Sequence, residues 1–280
     1  MTPGAGRADV GWSEHTVAVG DRTVFYRRGE GPRDALPVVH VHGFGISGRY
    51  LLPTARLLTP LGVNLVPDLP GYGRSPRPPR TLTLPELSEA LLGFLDALSI
   101  DRAVLVGNSM GCPVILDVAH HDPERVARLV LVAPAGGVHN QPLPRALVQL
   151  ARDGLRESPR MARVAVPDYL GFGPVNSLRL FRALTRFPSL DRLVSAPVPC
   201  LAVLGSRDPL LPGVDRVLQV AVRTPPHVTL VVIVGAAHAV NFSHPGELSH
   251  VIRSWLEDRE IADDPDQPGL ARVIPVVRGP

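Results

Sequence analysis

The chain has 280 residues, 45% of them hydrophobic, enough apolar material for the core of one large α/β domain. Its formal net charge is only +3, and the 29 basic side chains are all arginines spread along the chain, which excludes the massed basic face of a nucleic-acid binder. Met1 to Val10 has no apolar core of the kind a secretory signal needs and no run approaches a membrane span, so a soluble, cytoplasmic protein is expected. The expected partners are a small-molecule substrate and at most a second copy of the chain, with neither nucleic acid nor membrane. The two cysteines, Cys112 and Cys200, belong to no metal-like cluster and are expected to be free buried thiols, with no metal and no cofactor.

In chain order, residues 1 to 12 predict a flexible N-terminus. His15 to Val19 and Thr23 to Arg27 predict two short antiparallel strands turning at Gly20-Asp21. From Leu36 the pattern becomes apolar strands alternating with helical segments, the signature of a mostly parallel sheet covered by helices on both faces. Strands are expected at Pro37 to Val41, Val63 to Pro67, Ala103 to Gly107, Leu129 to Val132, Cys200 to Gly205 and Thr229 to Val234. Their unbroken Val/Leu/Ile character suits burial on both faces. Helices are expected at Tyr50 to Leu58, Leu84 to Leu98, Met110 to His121, Pro212 to Val222 and Pro245 to Asp258. Residues 135 to 197 carry no strand pattern but contain helical stretches such as Leu143 to Leu155 and Asn176 to Arg186, and an excursion of that length between core strands reads as a lid. Residues 260 to 280 pass through Asp263-Asp264-Pro265-Asp266 and are expected to form a tail outside the domain, although Val273 to Val277 is apolar enough to dock.

Chemistry concentrates where strands end. Gly107-Asn108-Ser109-Met110-Gly111 joins a strand to a helix, a turn in which side chains at the two glycines would collide with neighbouring backbone and the serine is pushed out of the sheet. A serine is a poor nucleophile without a histidine base and a carboxylate to orient it. Downstream, Asp208 follows the strand ending at Gly205, and His238 follows the last strand. Asp208 could instead be a turn residue before Pro209, and His238 competes with His244, His227, His250, His120 and His121. Two further loops sit at strand ends. One is His42-Gly43-Phe44-Gly45, with His40 and His42 suited to hydrogen bonding; the other is Asp68-Leu69-Pro70-Gly71-Tyr72-Gly73, which reads as a packing and turn element.

These five motifs, in their order along the chain, resemble the α/β-hydrolase superfamily over roughly residues 15 to 258. The resemblance implies an α/β-hydrolase fold, a mostly parallel eight-stranded sheet with helices on both faces and a helical lid. The core would span residues 13–134 and 198–259, the lid 135–197 and the tail 260–280. It also implies a serine hydrolase in which Ser109 is the nucleophile, His238 the general base and acid, and Asp208 the orienting carboxylate. The N-H groups of Phe44 and Met110 would form the oxyanion hole, with Gly45 the alternative to Phe44. Tyr169, Phe172 and Phe181 either line an acyl pocket or pack the lid. The expected reaction is cleavage of a carboxylic ester or thioester of a small, mainly apolar acyl group. Carbon-carbon bond hydrolases of aromatic ring cleavage form an alternative, but they usually carry tryptophan after the catalytic histidine, where this chain has Ala239. An acyltransferase or cyclase with the same triad, and a non-enzymatic binding protein on the same fold, are the other readings.

Overall fold

The computed structural model describes residues 11–135, 143–157, 159–184, 186–187, 189–210, 226–261 and 271–273. Among these, the strands are β1 (Trp12–Val19), β2 (Arg22–Gly29), β3 (Val38–Val41), β4 (Asn64–Asp68), β5 (Ala103–Asn108), β6 (Val126–Val132), β7 (Cys200–Gly205), β8 (Val228–Ile233) and β9 (Ala271–Val273). They form one sheet in the order β1-β2-β4-β3-β5-β6-β7-β8-β9. The run from β4 to β8 is parallel throughout, while β1, β2 and β9 are antiparallel additions at the edges. The expected eight strands are all present, and the sheet has a ninth. Residues 271–273 leave the predicted tail to pair with β8, where Val231 faces Val273. The first strand begins at Trp12, earlier than its apolar pattern alone announces.

The continuous apolar strands divide their side chains between two cores, as a period of two requires. On one face, Val39, Val41, Leu105, Leu129 and Leu131 pack with Leu87, Leu91 and Phe94 of α2 (Leu84–Ala97) and with Cys112, Ile115 and Val118 of α3 (Gly111–His121). On the other, Val38, Val104, Val106, Val130 and Val132 meet Leu248, Val251 and Ile252 of the last helix, Pro245–Leu256. A short helix α1 (Leu52–Leu57) follows a 3-10 turn at Gly48–Leu51, so the helix expected from Tyr50 is split between the two. The helix expected at Pro212 to Val222 lies outside the described residues.

Between β6 and β7 the described chain is entirely helical in its regular structure, with α4 (Leu143–Arg156), α5 (Pro159–Phe172), α6 (Pro174–Leu184) and α7 (Ser189–Val194). The insertion rests on the carboxyl ends of the strands. Asp168 on α5 accepts hydrogen bonds from both the backbone N–H and the hydroxyl of Ser47, at 2.8 and 2.7 Å.

Asp68, at the end of β4, organises the neighbouring loops. Fully buried, it pairs with the nearly buried Arg27 of β2 at 2.9 Å and accepts the backbone N–H groups of Gly48 (2.8 Å) and Arg74 (3.0 Å). The sequence reading of this loop as a packing and turn element agrees with that placement. Removing one member of a buried ion pair leaves the other uncompensated, so Asp68→Ala is expected to lower unfolding free energy by about 4 kcal/mol in urea titration. A loss under about 1 kcal/mol would show that Arg27 finds water or another partner.

Candidate active site

The elbow after β5 has the backbone that its glycines permit. Ser109 has φ of 52°, in the left-handed region where a side chain is strained. A methyl group on Gly107 would lie 2.6 Å from the carbonyl carbon of Gly111, and one on Gly111 would collide with the carbonyl oxygen of Val41. The sharp turn therefore exists only with both glycines. It is pinned by main-chain bonds from Ser109 N–H to Val132 (3.0 Å) and from Cys112 and Ala135 to the Ser109 carbonyl (3.0 and 3.2 Å).

Asp208 and His238 are brought into direct contact. Asp208 follows β7 and is buried; one oxygen accepts the Leu210 N–H at 2.8 Å and the other lies 2.7 Å from Nδ1 of His238. That bond fixes the proton of the neutral imidazole on Nδ1 and leaves Nε2 free as a base. The Asp-Pro turn reading is thus not the whole role of Asp208. Burial by itself would lower the His238 pKa, but the charge and hydrogen bond of Asp208, followed by the charges of Asp153 and Glu157, outweigh it and raise it to about 9.

Four of the competing histidines have other hydrogen-bond partners. His227 donates to the Ala196 carbonyl, His120 and His121 to carbonyls one turn back on α3, and His244 bonds the hydroxyl of Ser243. His42 bridges its own loop: Nδ1 donates to Gly43 O at 2.9 Å and Nε2 accepts Leu69 N–H at 3.0 Å. His40 pairs with Asn64 at 2.7 Å, and burial depresses its pKa to about 4, keeping it neutral.

Two residues not singled out by sequence tie these loops together. Tyr50 accepts the Gly43 N–H at 2.8 Å and donates to Asn108 Oδ1 at 2.5 Å. Asn108, directly before the serine, donates through Nδ2 to Val132 O at 3.0 Å and to His238 O at 3.5 Å. One asparagine therefore links the turn at Ser109, the loop after β3 and the histidine loop. A buried polar side chain closing an apolar strand was the available signal. The result is close packing around the serine: a methyl on Gly43 would sit 3.3 Å from Ser109 Cβ. The next residue is Phe44, and among the described residues no acceptor takes its N–H or that of Met110.

The ring of Phe44 faces the insertion. Tyr169, Phe172 and Phe181 surround it with centroid distances of 6.0, 5.9 and 5.6 Å, and Tyr72 stacks on Phe172 at 4.9 Å. These aromatics pack the insertion against the loop after β3. Among the described residues no group of three or more histidine, cysteine or acidic side chains is arranged to hold a metal ion, and none of their helices is long and apolar enough to cross a membrane.

Residues 38–251 match the model of the alpha/beta hydrolase family. The chain belongs to that family. This α/β hydrolase is 29% identical over 247 residues to the dihydrolipoyllysine-residue acetyltransferase component of the acetoin cleaving system of Pseudomonas putida, covering 81% of its own length and 65% of the relative. It is 37% identical over 125 residues to the 2-hydroxymuconate semialdehyde hydrolase of Pseudomonas sp. (strain CF600), covering 43% and 42% of the two chains. It thus spans less than two thirds of the length of either curated relative. A thermophilic esterase from Thermogutta terrifontis superposes with a TM-score of 0.72 at 22% identity, covering 88% of this α/β hydrolase and 98% of the esterase. A membrane phospholipase A gives 0.76 at 23% identity, covering 89% and 86%. At those identities the structural likeness establishes the fold.

Proposed function

We propose that this α/β hydrolase is a serine esterase, cleaving a carboxylic ester or thioester of a small, mainly apolar acyl group through an acyl-enzyme, with the helical insertion as its lid. The observation that carries the reading is the 2.7 Å bond from His238 Nδ1 to Asp208, on a loop tied through Asn108 to the strained turn of Ser109. In this reading Ser109 Oγ attacks the carbonyl carbon while His238 Nε2 takes its proton. The N–H groups of Phe44 and Met110 hold the oxyanion, each contributing about 3 kcal/mol to the transition state. As the carbon–oxygen or carbon–sulfur bond breaks, His238 returns the proton to the leaving alcohol or thiol; water then repeats the sequence on the acyl-enzyme. The aromatic wall of Tyr169, Phe172 and Phe181 supports an apolar acyl group. Two buried free cysteines accord with the cytoplasm as its compartment.

The test is a panel of p-nitrophenyl esters of graded chain length together with fluorophosphonate labelling of the full chain. A mass increment on Ser109 with turnover of short acyl esters is expected; an unlabelled protein would overturn the reading. Transfer to an acceptor other than water is favoured by one observation, the acetyltransferase component among its relatives. Product analysis with and without an added thiol or alcohol separates it from hydrolysis. Ala239, buried beside Ile46 and Tyr50, stands against the carbon-carbon hydrolases.

The pH dependence follows from His238. Only the neutral imidazole accepts the serine proton, so kcat/KM is expected to rise with pH to a plateau, with a midpoint near the raised value of about 9. The linkage runs the other way. A histidine whose folded pKa is raised stabilises the protein fully below its unfolded value, near 6.5, and that contribution is lost as pH rises through about 9. Melting temperature should therefore fall over the interval in which activity climbs. A midpoint at or below 6.5 would mean that the carboxylates around His238 do not hold its proton.

A further inference from the structure

Two carboxylates of the insertion reach the histidine loop, and the acyl-transfer steps make no use of them. Glu157, just past α4, accepts the backbone N–H of Ala239 at 2.7 Å. Asp153, one helical turn earlier, accepts the N–H of His238 itself at 3.4 Å. The bonds span 82 and 85 positions of sequence, so they are contacts between the insertion and the core rather than local turns. Like charges four residues apart repel on a helix, and these two are also withdrawn from water. Asp153 is 7% exposed, and the second oxygen of Glu157 is buried without a hydrogen-bond partner among the described residues. Arg156, between them in sequence, turns its guanidinium to the carbonyl of Arg207 at 2.7 Å. Burial raises both carboxyls, Asp153 to about 6.

A buried pair of like charges costs stability wherever it does nothing, yet here it grips two consecutive N–H groups of the base's own loop. Resting on the hydrolase reading above, we propose that Glu157 and Asp153 are positioning residues that latch the lid onto the backbone of His238, so that the base is held in register with Ser109 when the lid is docked. Among the described residues, the charged or titratable groups that act on His238 are Asp208 from the loop after β7 and this pair from the insertion.

The experiment compares wild type with Glu157→Gln, Glu157→Ala and Asp153→Asn, following p-nitrophenyl acetate hydrolysis from pH 6 to 10 alongside melting temperature. Glu157→Gln retains an acceptor for Ala239 but loses the charge, so the midpoint of kcat/KM is expected to move down by roughly one unit. Asp153→Asn should move it in the same direction. Glu157→Ala should show that shift and, with the N–H released, a plateau kcat about tenfold lower at little changed KM. A packing contact alone would lower melting temperature without moving the midpoint. If Glu157→Ala does not fold, the other two variants decide. Midpoints within about 0.3 unit of wild type in Glu157→Gln and Asp153→Asn would overturn the latch. Failure of the hydrolase reading would appear differently, as a wild type that fluorophosphonate does not label.

Discussion

Ser109→Ala is expected to abolish fluorophosphonate labelling and to lower kcat by roughly 10⁶-fold, the order seen when a triad nucleophile is deleted. The loss is confined to chemistry because everything that shapes the turn is main chain. The N–H of Ser109 goes to Val132, its carbonyl accepts from Cys112 and Ala135, and the close approaches that exclude side chains are at Gly107 and Gly111. Alanine keeps the Cβ and therefore the same cost of φ near 52°. The variant should melt within a few degrees of wild type, and the donors around Phe44 and Met110 should leave a residual rate about 10³-fold above water. Steady-state kinetics with active-site titration checks both numbers. Turnover within about tenfold of wild type would remove the serine from the mechanism, since no other hydroxyl shares its strained turn.

How much of this was legible in sequence depends on whether a feature answers a local demand. The buried strands were legible because burial on both faces forces unbroken apolar runs, and Val38 to Val41 or Leu129 to Val132 can be little else. The elbow was legible because two glycines four residues apart answer a steric demand within one turn. Asp208 and His238 were legible as acid and base candidates because each follows a core strand directly. The ninth strand was not legible: Ala271-Arg272-Val273 has no strong pattern, and what recruits it is the open edge of β8. Nor was α5, which contains Pro167, a residue that argues against a helix unless tertiary packing overrides it. Tyr50, Asn108, Asp153 and Glu157 escaped for a common reason. Their importance lies in bonds across 58, 130, 85 and 82 positions, and single-chain spacing carries no trace of these.

Asp208→Asn tests the other half of the site, and the expected loss is about 10⁴-fold in kcat with KM little altered. The substitution is nearly isosteric in a buried position, and its remaining oxygen can still accept the Leu210 N–H, so the fold should survive. What changes is the proton on the imidazole. An amide nitrogen facing Nδ1 is a donor, which drives the ring to the tautomer with hydrogen on Nε2, the atom that must accept from Ser109. The charge that most raises the His238 pKa is also gone, while the burial that lowers it remains. The acid limb of the pH profile should therefore move to lower pH even as the plateau collapses. A carboxylate that merely braced the loop would give the opposite pattern, a lower melting temperature with an unmoved limb. Activity within tenfold of wild type would mean that His238 is oriented by something else, and Asp153 is a described candidate, since it already accepts that residue's own N–H.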